Sequence, residues 1–209
     1  MNILVLGATG ATGRLIVNQA LTKGHAVVAL VRSKARAADL AGAELVEGDA
    51  RDADALTRAV ASCDAVVSSL GSAMSPFREV TMLSMATRAL VGVMVKPNIR
   101  RLVCITGIGA GDSRGHGGFF YDKIFQPLLL GTIYADKDRE EELIKGSAAD
   151  WLIVRPGFLT NGPRTAVYRA ITDLSGVTGG KISRADVADF ILNQLESPSL
   201  FRQTPLLTY

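Results

Sequence analysis

The chain has 209 residues, of which 48% are hydrophobic, with 23 Lys and Arg against 20 Asp and Glu. That is enough for the large core of one α/β domain, and a dispersed net charge of +3 suits an anionic small ligand while excluding a dedicated nucleic-acid binder. No apolar run approaches the roughly 18 residues of a membrane span, the two cysteines (Cys63 and Cys104) lack metal-ligand spacing, and the chain opens on a strand-like run rather than a leader pattern, so a cytoplasmic protein with no metal and no membrane partner is expected.

Ile3-Leu4-Val5-Leu6 reads as a buried strand, and Gly7-Ala8-Thr9-Gly10-Ala11-Thr12-Gly13 turns it into the amphipathic run Arg14 to Leu21. The three glycines have separate duties. Gly7 reverses the chain, Gly10 lets backbone N–H groups approach a pyrophosphate at the positive end of the helix, and Gly13 lets that helix sit close on the strand. A second strand, Ala26 to Val31, follows within about thirty residues of the turn, the setting a dinucleotide-binding motif requires.

Farther along, Ser33 is placed to cap a short helix through about Leu40, and Glu44 to Glu47 form a third strand. Asp52 caps a helix through Val60, and Asp64 to Ser68 form a fourth strand. A long helix is predicted from Pro76 to about Val95, broken at Lys96-Pro97. Arg101 to Ile105 is the fifth strand, Ala135 to Lys145 a helix charged on one side, and Trp151 to Arg155 a sixth strand stopped by Pro156-Gly157. Ser183 caps a last helix through Glu196, and Thr204 to Tyr209 adds an edge strand. This alternation predicts a Rossmann-type, doubly wound parallel sheet in one domain over 1–209.

In such a sheet the ligand lies beyond the carboxyl ends of the strands. Where a cofactor without the extra phosphate meets a carboxylate, this chain has Arg32-Ser33-Lys34-Ala35-Arg36. Arg32 and Arg36, one helical turn apart, with Ser33 between them, make a site for a 2′-phosphate and favour NADPH over NADH; a solvated basic turn is the other reading. Asp49 reads equally as an acceptor for the adenine amino group or as a helix-entry turn residue. Leu70 and Gly71 let the middle of the cofactor pass closely. Thr106 puts a hydroxyl near the expected nicotinamide position, or only caps its strand end.

Together, Gly7 to Gly13, Val31-Arg32, Gly48-Asp49 and Trp151-Leu152-Ile153-Val154-Arg155-Pro156-Gly157 resemble the atypical short-chain dehydrogenase/reductases. Within that group the chain is most similar to the biliverdin reductase B (flavin reductase) family, with the NmrA-like proteins next. The resemblance implies that Thr9, Gly10, Ala11 and Thr12 wrap the pyrophosphate, Arg32 and Arg36 hold the 2′-phosphate, and Asp49 with Ala50 meets the adenine. Thr106 falls where the family has Ser near the nicotinamide, and Lys137 falls at the superfamily's Lys position, where it binds the nicotinamide ribose. These two are the candidate catalytic residues. Pro156 and Phe158, after the sixth strand, complete the cofactor site.

Two departures shape the expected chemistry. The superfamily places a Tyr four residues before the Lys, so that a phenol can protonate a carbonyl oxygen; here that position is Ile133, and the adjacent Tyr134 is expected to point away by about 100°. Phe158 stands where vertebrate biliverdin reductase B has His, and it can neither donate nor titrate. A hydride transfer to a planar acceptor such as FMN, riboflavin, biliverdin or a quinone needs little acid catalysis. Gly109 to Gly118 with Phe119, Phe120, Tyr121 and Phe125 either cover such a ligand or pack the next helix. His116, Arg164 and Arg169 are further candidates for an acidic substrate, and the roughly twenty residues from Asn161 to Ser183 are few for a nucleotide sugar. An NADP(H) redox sensor without turnover and an epimerase are the alternatives. The chain is expected as a monomer or homodimer.

Overall fold

The structure is a computed structural model and describes residues 1–73, 75, 78–95 and 99–209. Its centre is an eight-stranded sheet in the order β3-β2-β1-β4-β5-β6-β10-β8. The strands are β1 (Asn2–Leu6), β2 (Ala26–Val31), β3 (Glu44–Glu47), β4 (Ala65–Ser68), β5 (Arg101–Ile105), β6 (Asp150–Pro156), β8 (Arg169–Ile171) and β10 (Leu206–Thr208). All neighbours run parallel except β10 and β8. The chain reverses its direction of winding between β1 and β4, which opens a crevice at the carboxyl ends of those two strands. This is the Rossmann-type α/β architecture expected.

Alternation along the buried strands sends side chains to two cores. Ile3 and Val5 of β1 face α1 (Ala11–Thr22) and α5 (Arg184–Glu196), where they meet Ile16, Val17, Val187 and Ile191. Leu4 and Leu6 face the other layer, α2 (Ala53–Val60), α3 (Met82–Met94) and α4 (Gly131–Lys145), and meet Leu56, Leu90 and Ile144. Asp52 caps α2 by accepting from the Asp54 N–H at 2.9 Å, and Ser183 caps α5 by accepting from the Asp186 N–H at 2.9 Å. The start of α3 is capped from another helix: the buried Asp136 carboxylate of α4 accepts from the Leu83 N–H at 2.8 Å and the Ser84 hydroxyl at 2.5 Å.

Several boundaries differ from expectation. Helix α3 begins at Met82, and Pro76, Lys96 and Pro97 lie outside the described residues. Ser33 makes no side-chain cap, and the segment after it is a short 3₁₀ turn, Lys34–Ala37. Ahead of α4 runs a wide π-helical stretch, Tyr121–Leu130, containing Pro127. The tail strand β10 is interior rather than an edge, because β8 pairs along its far side. A separate two-stranded parallel ladder joins β7 (Phe158–Thr160) to β9 (Lys181–Ser183).

Candidate functional site

The glycine turn is shaped by backbone proximity. Gly7 has φ +75°, and a Cβ there would come within 2.5 Å of the Ser69 carbonyl oxygen at the end of β4. A Cβ on Gly13 would overlap the Gly7 carbonyl oxygen, so α1 packs against the turn at a distance only glycine permits. Helix α1 has neither a side-chain cap nor an acidic residue in its first turn. Its first backbone N–H groups are therefore left for an anion, which the helix dipole also favours.

These groups open into a cleft of about 670 Å³. Of the expected residues, Gly7, Thr9, Gly10, Ala11, Thr12, Arg32, Asp49, Ala50, Leu70 and Gly71 line it together. Ser33 and Arg36 lie outside this lining, Ser33 just before the 3₁₀ turn and Arg36 on it and exposed. Arg51, Met82, Leu159 and Arg184 line it as well, and no motif along the chain marks them. Arg184 follows the Ser183 cap and donates to Asn161 Oδ1 at 2.7 Å.

At the end of the cleft beside Arg32, Asp49 is engaged. Arg51 donates to both its oxygens, from Nε to Oδ1 at 2.9 Å and from Nη2 to Oδ2 at 2.8 Å, and the Arg51 backbone N–H adds a third bond to Oδ1 at 2.9 Å. These bonds, with the charge of Arg32 behind them, hold the Asp49 carboxyl down at about 2. Two lone pairs on Oδ1 and one on Oδ2 are committed, so a single acceptor position remains on this carboxylate.

Thr106 and Lys137 meet at the end of β5. The buried Thr106 hydroxyl donates to Glu141 Oε1 at 2.8 Å, and the Thr106 carbonyl accepts from Lys137 Nζ at 2.5 Å. Glu141 also receives Arg155 Nε at 3.0 Å and Nη2 at 2.6 Å, and Arg155 pairs in turn with Asp112 in the turn Gly111–Ser113. Burial lowers the Lys137 ammonium and pushes the neighbouring Glu140 carboxyl up to about 7.

Tyr134 does not point away from Lys137. Residues three apart are neighbours on one helix face, and Lys137 Nζ lies 4.8 Å from the Tyr134 ring centroid. A Cβ on Gly107 would stand 3.2 Å from Lys137 Nζ and 3.3 Å from the Tyr134 hydroxyl. The phenol is nevertheless committed: it donates to the Ile108 carbonyl at 2.8 Å and sits 2.6 Å from the Tyr121 hydroxyl, and burial raises its pKa. With Tyr134 donating to Ile108, the proton between the two phenols belongs to Tyr121.

A second cavity of about 530 Å³ is walled by Gly117, Gly118, Phe119, Phe120, Tyr121, Phe125, Leu130 and Phe158. Phe119 and Phe120 are 71% and 70% exposed, so this wall has apolar surface to cover. Tyr121 stands edge-on to Phe158, centroids 5.1 Å apart. Strand β7 divides the two spaces: Phe158 faces the aromatic cavity and Leu159, its neighbour, faces the cleft, as alternation along a strand requires. Pro156 is buried at the end of β6, and its carbonyl accepts from Ile108 N at 3.0 Å. The other polar candidates are used internally: His116 Nδ1 contacts the Val177 carbonyl at 2.7 Å, Arg164 pairs with Asp189 at 2.7 Å, and Arg169 donates to the Tyr209 carbonyl at 2.7 Å.

A doubly wound sheet with a glycine turn at its switch point, an uncapped helix above it and a cleft lined by arginines defines a dinucleotide-binding protein. The chain belongs to the NAD(P)H-binding family, whose model matches residues 7–198. It is 28% identical over 203 residues to the uncharacterized sugar epimerase YhfK of Bacillus subtilis (strain 168), covering 94% of this chain and 88% of that one. Some other relatives are longer proteins of which the chain spans less than half. Among solved structures it is similar to ChuY, an anaerobillin reductase from Escherichia coli O157:H7, with a TM-score of 0.85 and 28% identity over 100% of this chain and 97% of that one. It shares its fold with a short-chain dehydrogenase/reductase from Veillonella parvula DSM 2008 in complex with NADP, at a TM-score of 0.82 and 18% identity over 100% and 94% of the two chains. These relatives agree with the atypical short-chain dehydrogenase/reductase resemblance. Among the described residues, no helix is long and apolar enough to cross a membrane.

Proposed function

We propose that the protein is an NADPH-dependent reductase of a flavin or related planar acceptor, such as FMN, riboflavin, a biliverdin-like tetrapyrrole or a quinone. It would work as one NAD(P)-binding domain over residues 1–209, with its substrate side in about 157–209, in the cytoplasm, as a monomer or homodimer. The observation that carries this reading is the pair of cavities back to back across β7, one lined by the glycine turn and the other by aromatic rings. Similarity to a protein named as a reductase supports it, and the short segment from Asn161 to Ser183 weighs against the epimerase alternative.

The bound cofactor supplies a hydride; the chain's own residues hold, orient and keep dry. The backbone of Gly10 to Thr12 faces the pyrophosphate, Arg32 stands at the rim for the 2′-phosphate with Ser33 and Arg36 farther out, beyond the cleft lining, and Asp49 and Ala50 border the adenine. Leu70 and Gly71 pass the cofactor's middle toward Thr106, Lys137 and Pro156, while Phe158, expected beside the cofactor, faces the aromatic cavity. Because Thr106 and Tyr134 already donate to Glu141 and Ile108, neither is poised to protonate an acceptor. Stacking and alignment on Phe158 and Tyr121 are what the site offers, and the product proton comes from solvent.

The test is NADPH oxidation, followed by near-ultraviolet absorbance, with FMN, riboflavin, biliverdin and quinones. Steady turnover with at least one acceptor is expected. Tight NADPH binding with none of them reduced overturns the reductase and leaves an NADP(H) sensor; nucleotide retained through purification favours an epimerase.

A further inference from the structure

We infer that Arg51, held by Asp49, is the second cation of the 2′-phosphate site, acting with Arg32. This rests on the NADPH preference proposed above. The chain offers three arginines near the adenine end, and the fold sorts them. Arg32 and Arg51 both line the cleft, whereas Arg36 does not. Arg36 would have shared a helix face with Arg32 only if an α-helix followed β2; the 3₁₀ turn at Lys34–Ala37 has a different pitch and does not repeat that spacing.

Arg51 is built to hold a fixed direction. Its guanidinium gives one N–H from Nε and one from Nη2 to the two Asp49 oxygens, leaving three of its five N–H groups for a ligand. A bidentate fork of this kind fixes the guanidinium plane, which a lone exposed arginine lacks, and a fixed fork loses less freedom when it meets a phosphate. The Arg51 backbone N–H closes the same loop onto Asp49, so the side chain is tied down at both ends. Asp49 thereby acts as a positioning residue more than as a direct partner of the adenine. An anionic side chain beside a 2′-phosphate would otherwise repel it; here its charge is spent on orienting a cation.

The experiment measures the affinity of the full chain for NADPH and NADH by cofactor fluorescence, with 2′,5′-ADP and 5′-AMP as competing fragments. Arg51→Ala is expected to weaken NADPH and 2′,5′-ADP by about tenfold to a hundredfold, the range of one or two charge-assisted hydrogen bonds. NADH and 5′-AMP should change by less than about threefold, the size of a screened surface charge effect, and Arg51→Lys should recover part of the loss. Arg32→Ala should behave like Arg51→Ala, and Arg36→Ala should change NADPH far less. Asp49→Asn separates the roles: removing a negative charge beside the phosphate should strengthen NADPH if Asp49 merely sits there, and weaken it if Asp49 orients Arg51. Equal losses of NADPH and NADH in Arg51→Ala, a larger NADPH loss in Arg36→Ala, or tighter NADPH in Asp49→Asn overturns the inference. Wild-type protein that binds NADH as well as NADPH overturns the NADPH reading itself, an outcome visible before any variant is made.

Discussion

The cofactor half and the proposed acceptor half of this site are built by different means. From β1 to β4 the cleft is made of backbone: glycines at strand ends, an uncapped helix start and close approaches such as Gly13 on Gly7. On the other side, the Gly111–Ser113 turn and the π-helical stretch are held by side chains reaching across long sequence gaps. Arg155 of β6 grips Asp112 and Glu141, Gln126 Nε2 donates to the Gly109 carbonyl at 2.8 Å, and His116 meets Val177. A backbone-built site tolerates little change in shape but asks little of distant residues. A side-chain-built one changes its acceptor easily and depends on its pins.

The largest effect should come from the chief pin. Arg155→Ala leaves the buried Glu141 carboxylate with the Lys145 ammonium at 3.4 Å as its remaining cation, so chemical denaturation should show a loss of about 3–5 kcal/mol; a loss under 1 kcal/mol, the surface-pair range, would mean that this half does not hang on the Arg155 ion pair. Next, Gly13→Ala forces α1 away from the Gly7 carbonyl and should cost about 1–3 kcal/mol in stability, with NADPH affinity falling alongside. Unchanged cofactor binding in that variant would break the claim that backbone distance makes the cleft.

A smaller effect separates the two halves directly. Phe158→Leu removes the edge-on contact with Tyr121, worth about 0.5–1.5 kcal/mol, so the acceptor KM should rise roughly twofold to tenfold with NADPH affinity unchanged. An equal loss of NADPH would put Phe158 on the cofactor side of β7 instead. The smallest is a slope with pH. Burial pushes the Glu140 carboxyl from 4.5 up to about 7, so the folded state holds more proton than the unfolded one between those values, and stability falls as pH rises through that window. The slope is at most about 1.4 kcal/mol per pH unit, and Glu140→Gln should flatten it in denaturation curves taken from pH 4 to 8.

Much of the cofactor half was legible from residues alone. Strand β3 at Glu44–Glu47, α2 from its Asp52 cap and α5 from its Ser183 cap follow local patterning and capping chemistry, and ten of the expected cofactor residues line one cleft. The acceptor half was less legible. Short strands such as β7 and β9 have no period long enough to read and exist because they pair with each other. Tyr134 joins Lys137 on one face because three residues, like four, complete most of a helical turn. The commitment of the Thr106 hydroxyl to Glu141 has no signature along the chain at all.

By itself, the sequence determined a doubly wound sheet and the glycine turn at its centre, because strand burial, helix capping and the freedom of glycine act over a few neighbouring residues. Tertiary structure alone decided which cations line the glycine-turn cleft, which hydroxyls are already spoken for, and that a three-residue strand divides that cleft from the aromatic cavity. Those outcomes depend on pairings between segments far apart in the chain, where distance and direction, and not residue type, choose the partner.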